Sequence, residues 1–463
     1  MNLDRIFNPR TVALIGASRD AGSVGYGILK NLVKGCVFAS EYCKAFKGKI
    51  FAVNPNADKI LDLKCYKNIK DIEEDIDLAV IAVPARFVAK VLKDCVSKKV
   101  GGVIVISAGF AELGEKGKKM QEEIASIARK AKIPMIGPNC LGVIRPLINL
   151  NASFAPSMPP KGKIAFISQS GALADSIIDW AIAERYGFSA LVSYGNKAML
   201  DCYDFLEWLE KDEETKAIAL YIEGVNDGRR FMEIAKRVSK KKPIVVLKAG
   251  RTEKGIHAIA SHTGSLAGSY EIYKAAFKQS NVFVANTVEE LFDIAKAFAN
   301  QPSCKKNAVG IVTNGGGCGV LCADFCEELG VNVVELKKST VNKLDKSGKM
   351  HPAYSRRNPL DIVGDALPER YSTAMNILLG EDYISGMIVI QTLQTMTDPE
   401  QDAREIIEVS KKFPNKPVIC VYMGGKYSKR GGRLLEAEGV PDYNDLRKAA
   451  VVMKVLIERG KVS

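Results

Sequence analysis

One local pattern occurs three times along this chain and restricts the folds open to it. Each copy is a short apolar run, then a turn rich in Gly, Ser or Asn, then a segment of helical periodicity, and the copies begin at residues 11, 163 and 308. A spacing of about 150 residues is the usual size of one domain. Between the copies, further apolar runs alternate with amphipathic segments, as they do in βαβ units. The pattern predicts three doubly wound α/β domains that bind ligands at the carboxyl ends of parallel strands.

Composition and two segments rich in Pro or polar residues give the expected domain boundaries. The 463 residues are 47% hydrophobic and 26% charged, as in ordinary globular proteins. A Pro-rich segment at 151–163 and a polar one at 300–307 predict domains at 1–150, 151–300 and 301–463. We expect neither a secretory leader nor a membrane span, because no basic segment precedes an apolar one at the start and charges interrupt every apolar run. The eleven Cys are irregularly spaced, which favours reduced thiols and a cytoplasmic location.

The charge balance favours anionic ligands. There are 66 Lys and Arg against 53 Asp and Glu, a net charge of +13. Such an excess suits polyphosphates or an acidic partner. The basic residues are spread along the chain and no basic arm is interleaved with aromatic residues, so the sequence disfavours nucleic-acid binding.

The first Gly-rich turn, GASRDAGSVGYG at 16–27, lies between a predicted strand and a predicted helix. Glycines there let backbone N–H groups approach a phosphate beside the positive end of the helix. A dinucleotide site needs a tighter Gly pattern and an acidic residue at the end of the second strand, where this chain has Asn54 and Pro55. NAD is therefore disfavoured, and the turn is either a site for another phosphate-bearing ligand or a plain tight turn.

The second and third turns carry similar signals. Ser168 and Ser170 in SQSG offer hydroxyl groups at a helix start, which suits a small anion such as phosphate and equally suits simple N-capping. The third turn has four Gly in the five positions 315–319, which is costly in entropy unless the backbone takes unusual angles or touches a ligand. Three Cys, at 318 and at four and eight residues beyond it, share one helix face. Small buried side chains explain them best, and we expect no metal site.

The three His residues are informative because there are so few. His257 and His262 lie in a segment rich in Gly, Ser and Ala that follows an apolar run, where a neutral imidazole can act as nucleophile or base, or can be simple polar surface. His351 has no such setting. Glu223 follows the apolar run IALYI, so it is placed at a strand end where it could orient an imidazole or accept loop N–H bonds.

Taken together, six motifs resemble those of the α subunits of ADP-forming acetate–CoA ligases, relatives of the succinyl-CoA synthetase α subunit. They are IGAS at 15–18, GPNCLG at 137–142, SQSG at 168–171, EG at 223–224, SHTG at 261–264 and NPLD at 358–361. The resemblance covers nearly the whole chain. It implies an N-terminal Rossmann-like CoA-binding domain followed by two flavodoxin-like, succinyl-CoA synthetase-like domains.

The resemblance also implies residue roles. It identifies His262, and not His257, as the phosphohistidine and Glu223 as its supporting carboxylate. The CoA-binding residues it implies are Gly16, Ser18, Ser23, Val24, Gly25, Asn54, Val83, Pro84, Ser107 and Asn139. With the two later turns, the expected phosphate-binding residues are Ser168, Ser170, Gly171, Ala172, Asn314, Gly315, Gly316, Gly317 and Gly319.

The family chemistry implies a division of labour between chains. Phosphate attacks the acyl-CoA thioester, the histidine takes the phosphoryl group from the acyl phosphate, and ADP then accepts it. This chain has no G-x-x-x-x-G-K-[ST] loop for a nucleotide, so an ATP-grasp β subunit is expected to hold ADP and Mg²⁺, in an α2β2 assembly. Two alternatives stay open: a CoA-thioester-binding scaffold without turnover, and a succinate-specific ligase subunit.

Overall fold

The computed structural model describes residues 1–263 and 269–462, apart from the side chains of residues 260–263. The chain divides into two compact units, Met1–Leu291 and Phe292–Ser463. The first unit contains two seven-stranded sheets and the second contains one five-stranded sheet. The predicted α/β class, with three sheets dominated by parallel strands, is confirmed.

The first sheet has the strand order β3-β4-β2-β1-β5-β6-β7 and is parallel except for the β3–β4 pair. Its central strands are apolar throughout because helices cover both faces. Its strands are β1 (Thr11–Ile15), β2 (Lys49–Val53), β3 (Lys59–Ile60), β4 (Leu63–Tyr66), β5 (Leu78–Ile81), β6 (Gly102–Val105) and β7 (Met135–Ile136). Its helices are α1 (Asp4–Phe7), α2 (Val24–Lys34), α3 (Ala85–Ser97) and α4 (Glu115–Ala131).

The second sheet has the order β14-β13-β12-β10-β11-β8-β9. Its strands are β8 (Gly142–Arg145), β9 (Leu150–Ser153), β10 (Lys161–Ser168), β11 (Phe188–Ser193), β12 (Ala217–Ile222), β13 (Ile244–Lys248) and β14 (Val282–Val284). Its helices are α5 (Gly171–Glu184), α6 (Cys202–Leu209), α7 (Gly228–Ser239), α8 (Glu253–Thr263) and α9 (Tyr270–Gln279). Three 3₁₀ turns complete the first unit, at Ile69–Asp71, Ala111–Leu113 and Pro146–Ile148.

The second sheet begins several residues before the expected boundary at residue 150. Strands β8 and β9 form an antiparallel hairpin that pairs with β11, so residues 142–153 belong to the second sheet. The Pro-rich segment therefore leads from β9 into β10, between two strands of the second sheet. This hairpin covers the otherwise open edge of β11, and no local signal in the sequence predicts that pairing.

The second unit has the strand order β16-β15-β17-β18-β19, all parallel. Its strands are β15 (Val309–Thr313), β16 (Leu360–Asp361), β17 (Gly386–Thr392), β18 (Val418–Met423) and β19 (Asp442–Tyr443). Its helices are α10 (Val288–Asn300), α11 (Gly316–Glu328), α12 (Lys338–Lys346), α13 (Pro368–Leu379), α14 (Pro399–Lys412), α15 (Ser428–Ala437) and α16 (Leu446–Gly460). The division between the units falls within α10, several residues before the expected start at 301.

A shared core explains why two sheets form one unit. One cluster of buried side chains runs from the first sheet, with Leu14 and Ile104, into the second, with Ile167 and Leu220. Burying such apolar surface is the main favourable contribution to folding.

The cysteines need one further correction. Cys36 and Cys43, predicted as reduced thiols, form a disulfide within the segment that follows α2. The two Cα atoms lie 5.6 Å apart because this segment folds back on itself, which a separation of seven residues does not reveal. The other nine are free thiols and eight of those are buried, including Cys322 and Cys326 of α11. Within the described residues, none of the helices is long and apolar enough to cross a membrane.

Candidate functional site

The order of the first sheet places a crevice beside β1. The chain leaves β1 in one direction towards β2 and returns on its other side as β5, and ligands of doubly wound sheets bind where the order reverses in this way. Gly16 follows β1 with a φ of +98°, and a Cβ there would collide with the carbonyl oxygen of Ala82. A Cβ on Gly25 would collide with the carbonyl oxygen of Gly16. The helix start is thus packed directly on the turn.

Hydrogen bonds fix the other expected CoA-binding residues around this turn. Ser23 caps α2 by accepting a bond from Tyr26 N. Ser18 Oγ accepts from Asp20 N at 3.1 Å, and Asn54 Nδ2 donates to the carbonyl oxygen of Ala17 at 2.7 Å. In each of these bonds a side chain pairs with a backbone group of the turn, so the three side chains hold the loop in place.

A cavity of about 650 Å³ lies at the carboxyl ends of both sheets of the first unit. Its wall includes five of the expected CoA-binding residues, Val24, Val83, Pro84, Ser107 and Asn139. The structure brings three expected phosphate-binding residues to the same wall, Ser170, Gly171 and Ala172. Gly16, Ser18, Ser23, Gly25 and Asn54 do not line it.

The second turn is closed by Ser168, the last residue of β10. Its Oγ donates to the carbonyl oxygen of Ser170 at 2.7 Å and accepts from Ser170 N at 3.2 Å. Ser170 in turn caps α5, because its Oγ accepts from Leu173 N at 3.2 Å. The N–H groups of Gly171 and Ala172 form the first turn of α5 at the cavity, where the helix dipole favours an anion.

The third turn, in the second unit, repeats this local geometry. Thr313 Oγ1 donates to the carbonyl oxygen of Gly315 and accepts from Gly315 N, both at 3.0 Å, and α11 starts at the next residue. Asn314 Oδ1 accepts from Thr392 N at 2.7 Å and Asn314 Nδ2 donates to Thr392 O at 2.9 Å, which locks the turn to the end of β17. The second and third predicted turns therefore share this pair of hydrogen bonds, while only α5 is also capped by a side chain.

Space explains most of the glycines in the third turn. A Cβ on Gly316 would lie 2.6 Å from a carboxylate oxygen of Asp361, and one on Gly319 would lie 2.9 Å from the methyl group of Thr313. Nothing lies within 4 Å of a Cβ built on Gly317. Close neighbours thus require glycine at 316 and 319. At 317 there is room for a side chain, and the glycine instead leaves the backbone N–H exposed at the start of α11.

Glu223 is buried at the end of β12, and its backbone is tied to the second turn. The side-chain oxygen Oε1 of Gln169 accepts from Glu223 N at 2.8 Å and from Gly224 N at 3.2 Å. On the other side, Lys248 Nζ donates to the carbonyl oxygen of Glu223 at 2.8 Å. The position of Glu223 relative to Ser168 and Ser170 is therefore set by direct contacts.

Lys248 is a buried cation at the end of β13. It is 1% exposed, and its Nζ also donates to the carbonyl oxygen of Ala249 and lies 4.5 Å from the centre of the Tyr273 ring. Burial lowers the pKa of Lys248 to about 8, against the opposing attraction of Glu223. A lysine that keeps its charge here is held by carbonyl groups and an aromatic face.

The two candidate histidines lie on α8, which follows β13. Neighbouring strands β12 and β13 pair with Ile222 opposite Lys248, so Glu223 lies beside the start of the segment that leads into α8. His257 is exposed in this helix. His262 belongs to its last turn, and its side chain lies outside the described residues.

Sequence reasoning missed three residues of this site. Gln169 stands between the two serines that it did single out, and its contact with Glu223 joins residues 54 positions apart. Lys248 is the last residue of the apolar run IVVLK, and a lysine at that position could have been predicted to be a buried or functional cation. Asp175, one turn into α5, lines the cavity, and its position four residues after Gly171 could have placed it there.

The chain matches three family models. They are a CoA binding domain at residues 10–146, a succinyl-CoA ligase like flavodoxin domain at 161–298 and a Ligase-CoA domain at 309–454. The first of these covers the crevice beside β1, the second covers Ser168, Glu223 and α8, and the third covers the turn of the second unit.

Curated relatives and solved structures agree with these models. The α subunit of acetate–CoA ligase [ADP-forming] II of Pyrococcus furiosus is 44% identical over 99% of this chain and 98% of its own length. An acetate–CoA ligase [ADP-forming] of Methanocaldococcus jannaschii is 47% identical over 95% of this chain, which spans 61% of that longer protein. The solved dinucleotide-forming acetyl-coenzyme A synthetase 1 of Ca. Korarchaeum cryptofilum, in complex with phosphate and ADP, superimposes with a TM-score of 0.92 at 36% identity, over 100% of this chain and 97% of that one.

The Pyrococcus furiosus α subunit matches this chain over nearly its full length at 44% identity, and the Korarchaeum structure has the same fold at 36% identity. The CoA-binding model coincides with the crevice beside β1. The chain therefore belongs to the family of ADP-forming acetate–CoA ligase α subunits, and it is a CoA-binding ligase.

Proposed function

We propose that this chain is the α subunit of an ADP-forming acyl-CoA synthetase. It converts acetyl-CoA or a related acyl-CoA, ADP and phosphate into the free acid, ATP and CoA, through an acyl phosphate and a phosphohistidine. The observation that carries the proposal is the cavity, because residues expected to bind CoA and residues expected to bind phosphate share its wall.

The first step joins the two ligands of that cavity. An oxygen of phosphate attacks the carbonyl carbon of the thioester, the carbon–sulfur bond breaks, and the CoA sulfur leaves as the thiolate and takes up a proton. The product is an acyl phosphate. The N–H groups at the start of α5, with roughly half a positive charge from the helix dipole, stabilise the anionic phosphate during the attack.

The second step moves the phosphoryl group to His262. A ring nitrogen of the imidazole attacks phosphorus, the bond between phosphorus and the acyl oxygen breaks, and the acid leaves as its carboxylate. We assign Glu223 the role of accepting a hydrogen bond from the other ring nitrogen, which fixes the tautomer and supports the positive charge that develops on the ring. The contacts of Gln169 and Lys248 with the backbone of Glu223 support this assignment, since they hold the residue in place.

The third step needs a nucleotide site, which we place on a partner. Relatives bear the name subunit alpha, which implies a second subunit. We propose an ATP-grasp β subunit that holds ADP with Mg²⁺, in an α2β2 assembly in the cytoplasm. The third turn in the second unit, with Asn314 and Gly315–Gly317, is proposed as a second phosphate-binding helix start because its geometry matches that of the Ser168 turn.

The experiment is to incubate the chain with acetyl-CoA and radioactive phosphate and to locate the label by peptide mapping under alkaline conditions. We expect acid-labile label on the peptide that contains His262, no label in His262→Ala, and normal label in His257→Ala. His262→Ala should still bind CoA. Label retained in His262→Ala would move the phosphohistidine elsewhere. Wild-type protein that binds CoA and never becomes labelled or makes ATP with its partner would instead support a scaffold without turnover.

A further inference from the structure

The cavity contains one charged side chain that the proposed steps do not use. Among the described residues that line it, Asp175 is the only one with a charged side chain, and none is Lys, Arg or His. The other wall residues are apolar, such as Val24 and Phe154, or carry neutral polar groups, such as Ser107 and Asn139. A ligand group entering this space meets negative charge and no side-chain cation.

One oxygen of the Asp175 carboxyl group is left without a hydrogen bond in the described part of the chain. This oxygen, Oδ1, is buried. Burial raises the pKa of Asp175, and the charge of Asp179 raises it further. A buried carboxyl oxygen without a partner is costly, so such groups are retained where a ligand or water uses them.

The helix geometry places Asp175 one turn from the start of α5, where phosphate is proposed to bind. Asp175 is four residues after Gly171, so the two positions lie on the same face of α5. Side chains of a helix lean towards its N-terminus, and Gly171 has no side chain to cover that direction. In the proposed first step, an acyl group that reacts with a phosphate at the start of α5 would lie within about one helical turn of Asp175.

Resting on the proposed function, we propose that Asp175 is a specificity-determining residue: it excludes acyl groups that bear a second carboxylate, so that the site takes monocarboxylic acyl-CoA thioesters. A dicarboxylic acyl group such as succinyl would place a second anion in the same cavity. It would meet a like charge, and the cavity wall offers no side-chain cation to compensate for its lost hydration.

Charge can be separated from size without altering the protein. Succinyl-CoA and succinamyl-CoA have acyl chains of nearly equal volume, but the second bears a neutral amide in place of the terminal carboxylate. Calorimetric titration of the purified wild-type chain should show succinamyl-CoA binding at least about tenfold more tightly than succinyl-CoA. Equal affinity for the two would overturn the inference. This measurement needs no turnover, so it does not depend on the partner or on the phosphohistidine.

Variants then assign the discrimination to one residue. In Asp175→Asn the ratio of the two affinities should fall to within about twofold of unity, and with the partner subunit the ratio of kcat/KM for succinyl-CoA over acetyl-CoA should rise by about tenfold. Asp175→Ala provides a second test if the amide variant folds poorly. Glu184→Gln, at the exposed end of the same helix, is the matched control and should leave both ratios unchanged.

The outcomes separate this inference from the proposed function. If wild-type enzyme with its partner fails to convert acetyl-CoA, phosphate and ADP to ATP, the proposed function is wrong whatever the binding ratio. If it does convert them and Asp175→Asn slows both acyl-CoA thioesters equally, Asp175 acts on a part that they share, such as phosphate or pantetheine, and the specificity role is refuted.

Discussion

Lys248 gives a prediction whose size follows from its surroundings. The pKa of this lysine falls from 10.5 to about 8 in the folded chain because of burial. At about 1.4 kcal/mol for each pKa unit, holding the charged form inside the fold costs about 3 kcal/mol relative to the unfolded chain. This cost is present in full below pH 8, where the lysine is protonated in both states.

The sign of the pH dependence follows from proton binding. Between pH 8 and pH 10.5 the unfolded chain keeps a proton that the folded chain releases, so the free energy of unfolding rises with pH through this window. From pH 7 to pH 10 the contribution of Lys248 amounts to a gain of about 2.5 kcal/mol. Methionine fills a similar volume without a titrating group, so Lys248→Met should lack this gain.

The two tryptophans make the assay specific. Trp180 and Trp208 both belong to the first unit, so their fluorescence during urea unfolding reports on the unit that contains Lys248. The quantity to measure is the difference in unfolding free energy between wild type and Lys248→Met at pH 7 and at pH 10. Buried cysteines and tyrosines titrate in both proteins and cancel in that difference. The exposed Lys240→Met, in the same unit, is the control for exchanging a lysine for methionine.

A flat difference would refute the reasoning. If wild type and Lys248→Met keep a constant separation from pH 7 to pH 10 within about 0.5 kcal/mol, Lys248 titrates at its ordinary pKa, and its carbonyl and aromatic partners offset the whole cost of burial. The contacts with Glu223 and Ala249 would then have to be stronger than ordinary charged hydrogen bonds.

Three further predictions concern the site itself. Glu223→Gln should lower kcat by about 10-fold to 100-fold and leave the KM for acyl-CoA within about twofold, because a carboxylate that orients an imidazole acts on the reaction steps. An unchanged kcat in steady-state kinetics would make the residue structural. Gly25→Ala should weaken CoA binding and destabilise the first unit by about 2 kcal/mol or more, because its methyl group would strike the Gly16 carbonyl. The control is Gly27→Ala, whose Cβ would have its nearest neighbour 4.0 Å away, and which should stabilise α2 by about 0.5–1 kcal/mol in urea unfolding. The isolated chain should bind CoA in calorimetry and should not bind ADP with Mg²⁺ tightly, so a micromolar one-to-one isotherm with ADP would place the nucleotide site on this chain.

The sequence alone determined the class of fold and the ends of the strands that matter. An apolar run followed by a Gly- or Ser-rich turn and a helical segment is a short-range pattern, and hydrophobic periodicity and turn chemistry act over a few residues. For that reason the turns at Gly16, Ser168 and Asn314 were located correctly at the carboxyl ends of β1, β10 and β15. The similarity of the Ser168 and Thr313 turns also follows from local chemistry, since a hydroxyl group at the last strand position bonds the residue two further on.

Only the tertiary structure decided which of these ends face one another. The hairpin of β8 and β9 belongs to the second sheet because β8 pairs with the otherwise open edge of β11. The Cys36–Cys43 disulfide forms because the segment after α2 folds back on itself. Gln169 meets the backbone of Glu223 because β10 and β12 are paired neighbours in the second sheet. Asp175 lines the cavity at the ends of both sheets because a shared core holds the two sheets in one unit. Such contacts join residues tens of positions apart, and their geometry depends on the packing of every element between them.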